Sequence, residues 1–124
     1  MLSIYRAIIN LKNGQNSKKS FIYVSSNSIN ISLLNILWEE GFINGFSSKN
    51  KKFKVFLKYN NSNSLISYVR FFSKPSMNVY ITSNMLWKLN DKLGVFVLST
   101  DKGLLSLKEC KRSNLGGILC FFLK

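Results

Sequence analysis

The sequence predicts an α+β fold in two small lobes: an N-terminal lobe of order α-β-α-β-β over residues 1–62, and a mostly β lobe with short helices over residues 63–124. Three observations carry this expectation. Apolar residues recur at helical spacing before Gly41, in Leu2, Tyr5, Ile8 and Ile9 and again in Ile29, Leu33, Ile36 and Leu37, whereas alternation and β-branched or aromatic runs dominate afterwards. The run Asn60-Asn61-Ser62-Asn63-Ser64 has the lowest complexity in the chain and is the natural seam. Near the end, Val95-Phe96-Val97-Leu98, bounded by Gly94 and the hydroxyl pair Ser99-Thr100, reads as a buried strand running into a tight polar turn.

Residues 2–12 place Leu2, Tyr5, Ile8, Ile9 and Leu11 on one side at helical spacing, with Gly14 available as the stop. Lys12, Asn13 and Gln15 then fall just past the helix, where positive charge complements its dipole. Lys19 to Val24 alternates and is rich in aromatic and β-branched residues, which makes it a strand. Ser25-Ser26-Asn27-Ser28 supplies N-cap chemistry for a second helix through Ile29, Leu33, Ile36, Leu37 and Glu40, ended by Gly41. The Asn and Ser residues on its other face are poor helix formers, so packing must hold it. A helix start beside two hydroxyls also suits an anion. Residues 42–46 and 52–59 read as paired strands joined by a polar turn over 47–51. In the second of these, Phe53, Val55, Leu57 and Tyr59 share one face, and Lys52, Lys54 and Lys58 share the other, interrupted by Phe56. That basic face is either solvated or applied to a polyanion.

The second half continues with a strand over 65–72, the turn Ser73-Lys74-Pro75-Ser76, a strand over 78–82 and a short helix capped by Ser83 that carries Met85, Leu86 and Leu89. Lys74-Pro75 is a rigid turn first and a phosphate contact second. Tyr80 is either a core aromatic or a platform for a base or sugar, because unpaired bases stack on aromatic faces. The Ser99-Thr100-Asp101-Lys102-Gly103 turn offers two hydroxyls, an ammonium and a close backbone approach at Gly103, which suits phosphate and sugar oxygens; ordinary turn chemistry uses the same residues. Ser106-Leu107-Lys108-Glu109 has the pattern of a capping box opening a last short helix. The final strand follows in Leu115-Gly116-Gly117-Ile118-Leu119-Cys120-Phe121-Phe122.

Charge sets the class of partner. The 124 residues hold 18 Lys+Arg against 5 Asp+Glu, a net charge of +13 that repels itself unless a polyanion neutralises it. The basic residues are scattered along the chain instead of lining one amphipathic helix, and the longest apolar run, Leu115 to Leu123, falls short of the roughly 20 residues a spanning helix needs. Nucleic acid is therefore expected ahead of membrane. Cys110 and Cys120 are too far apart for a Cys-x-x-Cys site and histidine is absent, so the cysteines are expected as buried small hydrophobes, with no metal and no cofactor. Glu39 and Glu40 are neighbours that cannot share a helical face, which weighs against a metal-dependent nuclease. Neither catalytic residues nor a small-molecule substrate are expected. Leu2, Tyr5, Ile8 and Ile9 already read as structure, so no leader is expected. A composition heavy in Asn, Lys, Ile, Phe and Ser with one Pro is that of chains encoded by AT-rich organellar genomes.

Several of these stretches, taken together, resemble a known family. Ser99-Thr100-x-Lys102-Gly103, Leu115-Gly116-Gly117 and the stretch from Phe72 to Tyr80 are similar to the C-terminal half of the eighth small-subunit ribosomal protein family, the bacterial S-eight type. Leu11-Lys12-Asn13-Gly14-Gln15, Val24-Ser25-Ser26, the stretch from Leu37 to Ile43 and Leu57-Lys58-Tyr59 follow the order of its N-terminal half, so the likeness spans nearly the whole chain. The resemblance implies a structural, non-enzymatic protein of the small ribosomal subunit. Such a protein would bind central-domain rRNA early in assembly, help organise the platform and body, and adjoin neighbouring small-subunit proteins such as the fifth. It implies RNA contacts at Lys12, Asn13, Ser25, Ser26, Lys74, Tyr80, Ser99, Thr100, Lys102, Gly103, Gly116 and Gly117.

Two departures stand out. Asp101 replaces the hydroxyl residue usual after Ser99-Thr100, so the loop either shifts or turns this carboxylate inward to cap itself. Gly117 runs straight into Ile118, without the family's glutamate. Divergence of this kind fits a mitochondrial ribosome better than a plastid one, with plastid or bacterial cytoplasm as alternatives. The competing reading is a basic single-stranded nucleic-acid binder outside the ribosome that stacks bases on Phe and Tyr.

Overall fold

The computed structural model describes residues 2–60, 63–72, 77–89 and 94–124, and it has the α+β architecture the sequence predicts. Two compact units follow one another along the chain, Leu2–Ser67 and Tyr68–Lys124.

In the first unit, helix α1 (Leu2–Asn16) buries Ile4, Ala7, Ile8 and Leu11. It runs through Gly14 instead of stopping there. A Cβ on Gly14 would lie 2.6 Å from Ile22 Cγ2 and 3.2 Å from Leu57 Cδ1, so this glycine serves close approach of helix to sheet. The stop comes later, at Lys18 with φ 56°, where the Lys19 N–H donates to the Gly14 carbonyl at 3.0 Å and the Lys18 N–H to the Gln15 carbonyl at 3.1 Å. Strand β1 (Phe21–Ser25) buries Ile22 and Val24 and leaves Phe21, Tyr23 and Ser25 outside. Helix α2 (Ser28–Glu39) starts at Asn27, whose Oδ1 accepts the Asn30 N–H at 2.9 Å, and closes at Gly41 with φ 82°.

Strands β2 (Ile43–Lys49) and β3 (Lys52–Leu57) form a hairpin whose two turn residues, Asn50 and Lys51, both have positive φ. A turn of that twist needs only two residues. Ser47, Ser48 and Lys49 therefore join the ladder opposite Lys54, Phe53 and Lys52 instead of lying in the expected five-residue turn. The strand order β1-β3-β2 puts β3 in the middle, with Phe53, Val55 and Leu57 buried and Lys52, Lys54 and Phe56 on the opposite face. Beyond it, β4 (Tyr59–Asn60) pairs with β5 (Asn63–Ser64). The Tyr59 hydroxyl donates to the Lys19 carbonyl at 2.5 Å, and the buried Gln15 accepts the Ile66 N–H at 3.1 Å.

The second unit contains β6 (Val69–Phe71), β7 (Tyr80–Ile81), a 3-10 turn (Met85–Lys88), β8 (Val95–Thr100), β9 (Gly103–Ser106), α3 (Leu107–Ser113) and β10 (Gly117–Leu123). Strand β10 is its hub, pairing antiparallel with β6, β7 and β8, and β9 completes the sheet beyond β8. The strands expected over 65–72 and 78–82 are shorter than the sequence suggested. Their flanks still bond to the end of the chain outside these short ladders: Tyr68 and Lys124 exchange two backbone bonds at 3.2 and 3.0 Å, Phe72 N–H donates to the Cys120 carbonyl at 3.0 Å, and Leu119 N–H donates to the Val79 carbonyl at 2.8 Å. Ile81, Leu86, Leu98, Leu107, Cys110 and Leu119 form one core cluster of this unit.

Two expected caps are absent from this unit. Asn84, not Ser83, precedes the 3-10 turn and makes no side-chain cap bond. Ser106 does stand at the start of α3, but it is buried and caps nothing, while Glu109 reaches Arg112 one turn on, so the capping box does not form. Both cysteines are buried. Burial, with Glu109 adding to it, pushes the Cys110 thiol up to about 11, and burial moves Cys120 upward too. The Lys74-Pro75 turn lies outside the described residues.

Candidate nucleic-acid interface

The start of β10 organises one end of the second sheet. A Cβ on Gly117 would strike the Ser99 carbonyl oxygen and lie 3.0 Å from Thr100 Cγ2. One on Gly116 would lie 2.5 Å from the Ile81 carbonyl oxygen and 3.0 Å from the Ser83 nitrogen. The glycine pair thus lets the final strand enter between the ends of β7 and β8. Ile118 then pairs with Tyr80 on one side and Ser99 on the other, which puts Tyr80 and Ser99 on the same sheet face. Tyr80 is 63% exposed, so of the two readings open for this ring, the core aromatic is the one the structure sets aside.

The β8–β9 hairpin closes next to them. Thr100 pairs with Gly103, and Asp101 and Lys102 form the exposed tip. The Thr100 hydroxyl donates to the Gly103 carbonyl at 2.9 Å and accepts the Lys102 N–H at 3.2 Å, while Gly103 takes φ 107°. A hydroxyl has one proton, and here the turn uses it. The two donor hydroxyls expected at this turn therefore reduce to one, Ser99, and Thr100 keeps a lone pair that can accept but not donate. Thr100 also performs the capping that was one of the two options for Asp101, whose carboxylate stays exposed at the tip. Tyr80, Ser99, Thr100, Lys102, Gly103, Gly116 and Gly117 thus gather at one end of one sheet.

The other expected site residues sit in the first unit or beyond description. Lys12 is half-buried and Asn13 exposed within α1, inside the helix and not past its end. Ser25 and Ser26 are exposed at the corner between β1 and the α2 N-cap. The buried Asn30 fixes that corner by donating from Nδ2 to the Ser25 carbonyl at 2.8 Å. Lys74 is outside the described residues.

Sequence reasoning missed Trp87. Its ring is 65% exposed, and the Lys111 ammonium, which donates to the Leu89 carbonyl at 3.2 Å, lies 5.4 Å from the ring centroid. Of the four residues in the 3-10 turn only Leu86 is buried. An apolar Met-Leu-Trp string gives no sign of that, because the tight turn of three residues leaves just one facing the core.

Fold and surface together define a small, basic α+β protein that presents hydroxyls, cations and aromatic rings at its surface. Among the described residues no three His, Cys, Asp or Glu side chains could hold a metal, and no helix is long and apolar enough to cross a membrane. The family model for ribosomal protein S8 matches residues 3–123. The chain is 36% identical over 119 residues to the small ribosomal subunit protein uS8 of Ehrlichia chaffeensis, covering 91% of this chain and 90% of that protein. It is 34% identical over 115 residues to the uS8 of Malacoplasma penetrans, covering 89% and 88%, and 32% identical over 117 residues to that of Halothermothrix orenii, covering 90% and 89%. The chain belongs to the ribosomal protein S8 family.

Proposed function

We propose that this chain is a structural, non-catalytic constituent of the small ribosomal subunit, and that the end of its second sheet holds folded central-domain rRNA. The observation that carries the reading is the convergence of Tyr80, Ser99 and the 100–103 turn around the glycine-started strand β10, on a chain of net charge +13. In this reading Ser99 donates to a phosphate or ribose oxygen, Lys102 neutralises a phosphate and Tyr80 presents a ring to a base or sugar. The lone pair left on Thr100 accepts from a ribose 2′-hydroxyl, while Gly103, Gly116 and Gly117 act by fixing the backbone around these groups. Lys12, Asn13, Ser25 and Ser26 add contacts from the first unit, Lys74 adds one from the second, and neighbouring small-subunit proteins such as the fifth flank the whole. The Asn-, Lys- and Ile-rich composition supports an organelle-encoded chain, and the departures at Asp101 and Ile118 favour a mitochondrial over a plastid ribosome; a plastid or bacterial gene would refute that placement.

Binding to a central-domain rRNA fragment, titrated with salt, tests the reading. With about 6 to 10 phosphates contacted, raising salt from about 50 to 200 mM weakens binding roughly 10³- to 10⁵-fold. Affinity indifferent to salt, or a chain that fails to sediment with small subunits, would refute it.

A further inference from the structure

We infer that the outer face of the first unit's sheet is a stacking platform for unpaired RNA nucleotides, separate from the sheet end described above. The inference rests on the chain acting on RNA, but on the rings and lysines of a different sheet and a different form of RNA.

The strand registers assemble the platform. Phe21 stands opposite Phe56, Tyr23 opposite Lys54, and Ser25 opposite Lys52, with Ser47 next to Lys54 and Lys49 next to Lys52 on β2. Paired residues share a face, so three aromatic rings and three lysines occupy one side of one sheet. Phe21, Tyr23 and Phe56 are 37%, 43% and 39% exposed. Gly45 is the β2 partner of Phe56, so no side chain covers that ring from the β2 side. The Lys54 ammonium lies 4.2 Å from the Phe21 centroid and 5.4 Å from that of Phe56. The rings thus hold a cation among themselves, where a phosphate can reach it. Tyr23 meets Phe21 edge to face at 5.6 Å.

Charge decides the occupant. The chain's acidic residues are Glu39, Glu40, Asp91, Asp101 and Glu109, and none falls in β1, β2 or β3. A face of one sign, with rings between its cations, matches a strand whose bases stack and whose phosphates lie alongside. A duplex keeps its base faces covered, so unpaired nucleotides are the form of RNA that fits. A groove of about 700 Å³ between the last turns of α1 and β1 reaches Phe21 and Tyr23, and its rim of Asn10, Asn13, Ser17 and Ser20 supplies donors and acceptors for the polar edge of a base.

The test uses the full chain, an unstructured eight-nucleotide uridine strand and the central-domain rRNA fragment. Tyr23→Ala and Phe56→Ala each weaken binding of the short strand about 5- to 100-fold and leave the circular dichroism spectrum unchanged, because both rings are exposed. Tyr23→Phe retains binding. Lys102→Ala, at the other site, leaves short-strand binding intact. Short-strand affinity unaffected by Tyr23→Ala and Phe56→Ala overturns the inference even where the rRNA fragment still binds, and so does a face that selects an acidic peptide over the uridine strand. Failure of the rRNA fragment to bind, with short-strand binding intact and dependent on Tyr23, instead sinks the central-domain reading alone.

Discussion

The two sheets carry their exposed groups in opposite ways. At the end of the second sheet the backbone does the work: Gly116 and Gly117 admit a strand between two others, and the single proton of Thr100 is tied into its own turn. On the outer face of the first sheet the backbone is regular, and large side chains project from it in register. A site built from fixed backbone is specific in shape and breaks when a methyl group is added. A site built from projecting rings tolerates change in the scaffold and loses affinity one ring at a time.

Gly117→Ala should produce the largest effect, since its Cβ meets the Ser99 carbonyl. Overpacking of this kind costs about 1–3 kcal/mol. Urea denaturation should show that loss together with weaker rRNA binding, and a variant with wild-type stability would break the contrast. Tyr80→Ala removes an exposed ring, so stability should stay within about 0.5 kcal/mol while the rRNA fragment binds about 1–3 kcal/mol more weakly. Asn27→Ala loses the N-cap bond of α2 and should destabilise the first unit by about 1 kcal/mol, leaving the second unit's hydrogen-exchange protection unchanged. Lys102→Ala should lower the slope of log K against log salt by about 1 without altering stability.

The remaining effect concerns pH. The Cys110 pKa rises from 9.0 to about 11 on folding, so the folded state holds this proton more tightly than the unfolded one. Its contribution is complete below about pH 9 and declines as pH rises toward 11. Denaturation midpoints should fall over that window in wild type, and less in Cys110→Ala relative to its own neutral-pH value.

Periodicity made the first two helices and strand β8 legible: Ile8, Leu33 and Leu98 lie in the core where their spacing put them, whereas Tyr5 and Ile29, read on the same helical faces, are exposed because each stripe is wider than the face its helix buries. Helix ends were less legible. Gly14 looks like a stop, yet its missing side chain is needed for contact with Ile22, and the left-handed residue is Lys18, a type that rarely signals one. The capping box failed for a similar reason, since Ser106 is buried and Glu109 finds Arg112 closer at hand. The hydroxyl-and-glycine turn could be read from Ser99 to Gly103, but the commitment of one hydroxyl proton could not, because it depends on hairpin register. Likewise, the lysine face of β3 was visible in the sequence, whereas the rings of Phe21 and Tyr23 beside it required the pairing of β1 with β3.

Directed cleavage from the hairpin tip tests the central claim most directly. Cys110 and Cys120 are buried, so Lys102→Cys offers one accessible thiol for a tethered iron chelate. Once the labelled chain is assembled into small subunits, hydroxyl radicals from that position should cut central-domain rRNA at a few adjacent nucleotides. Labelled subunits with intact rRNA strands would mean that the tip faces solvent or protein, contrary to the account.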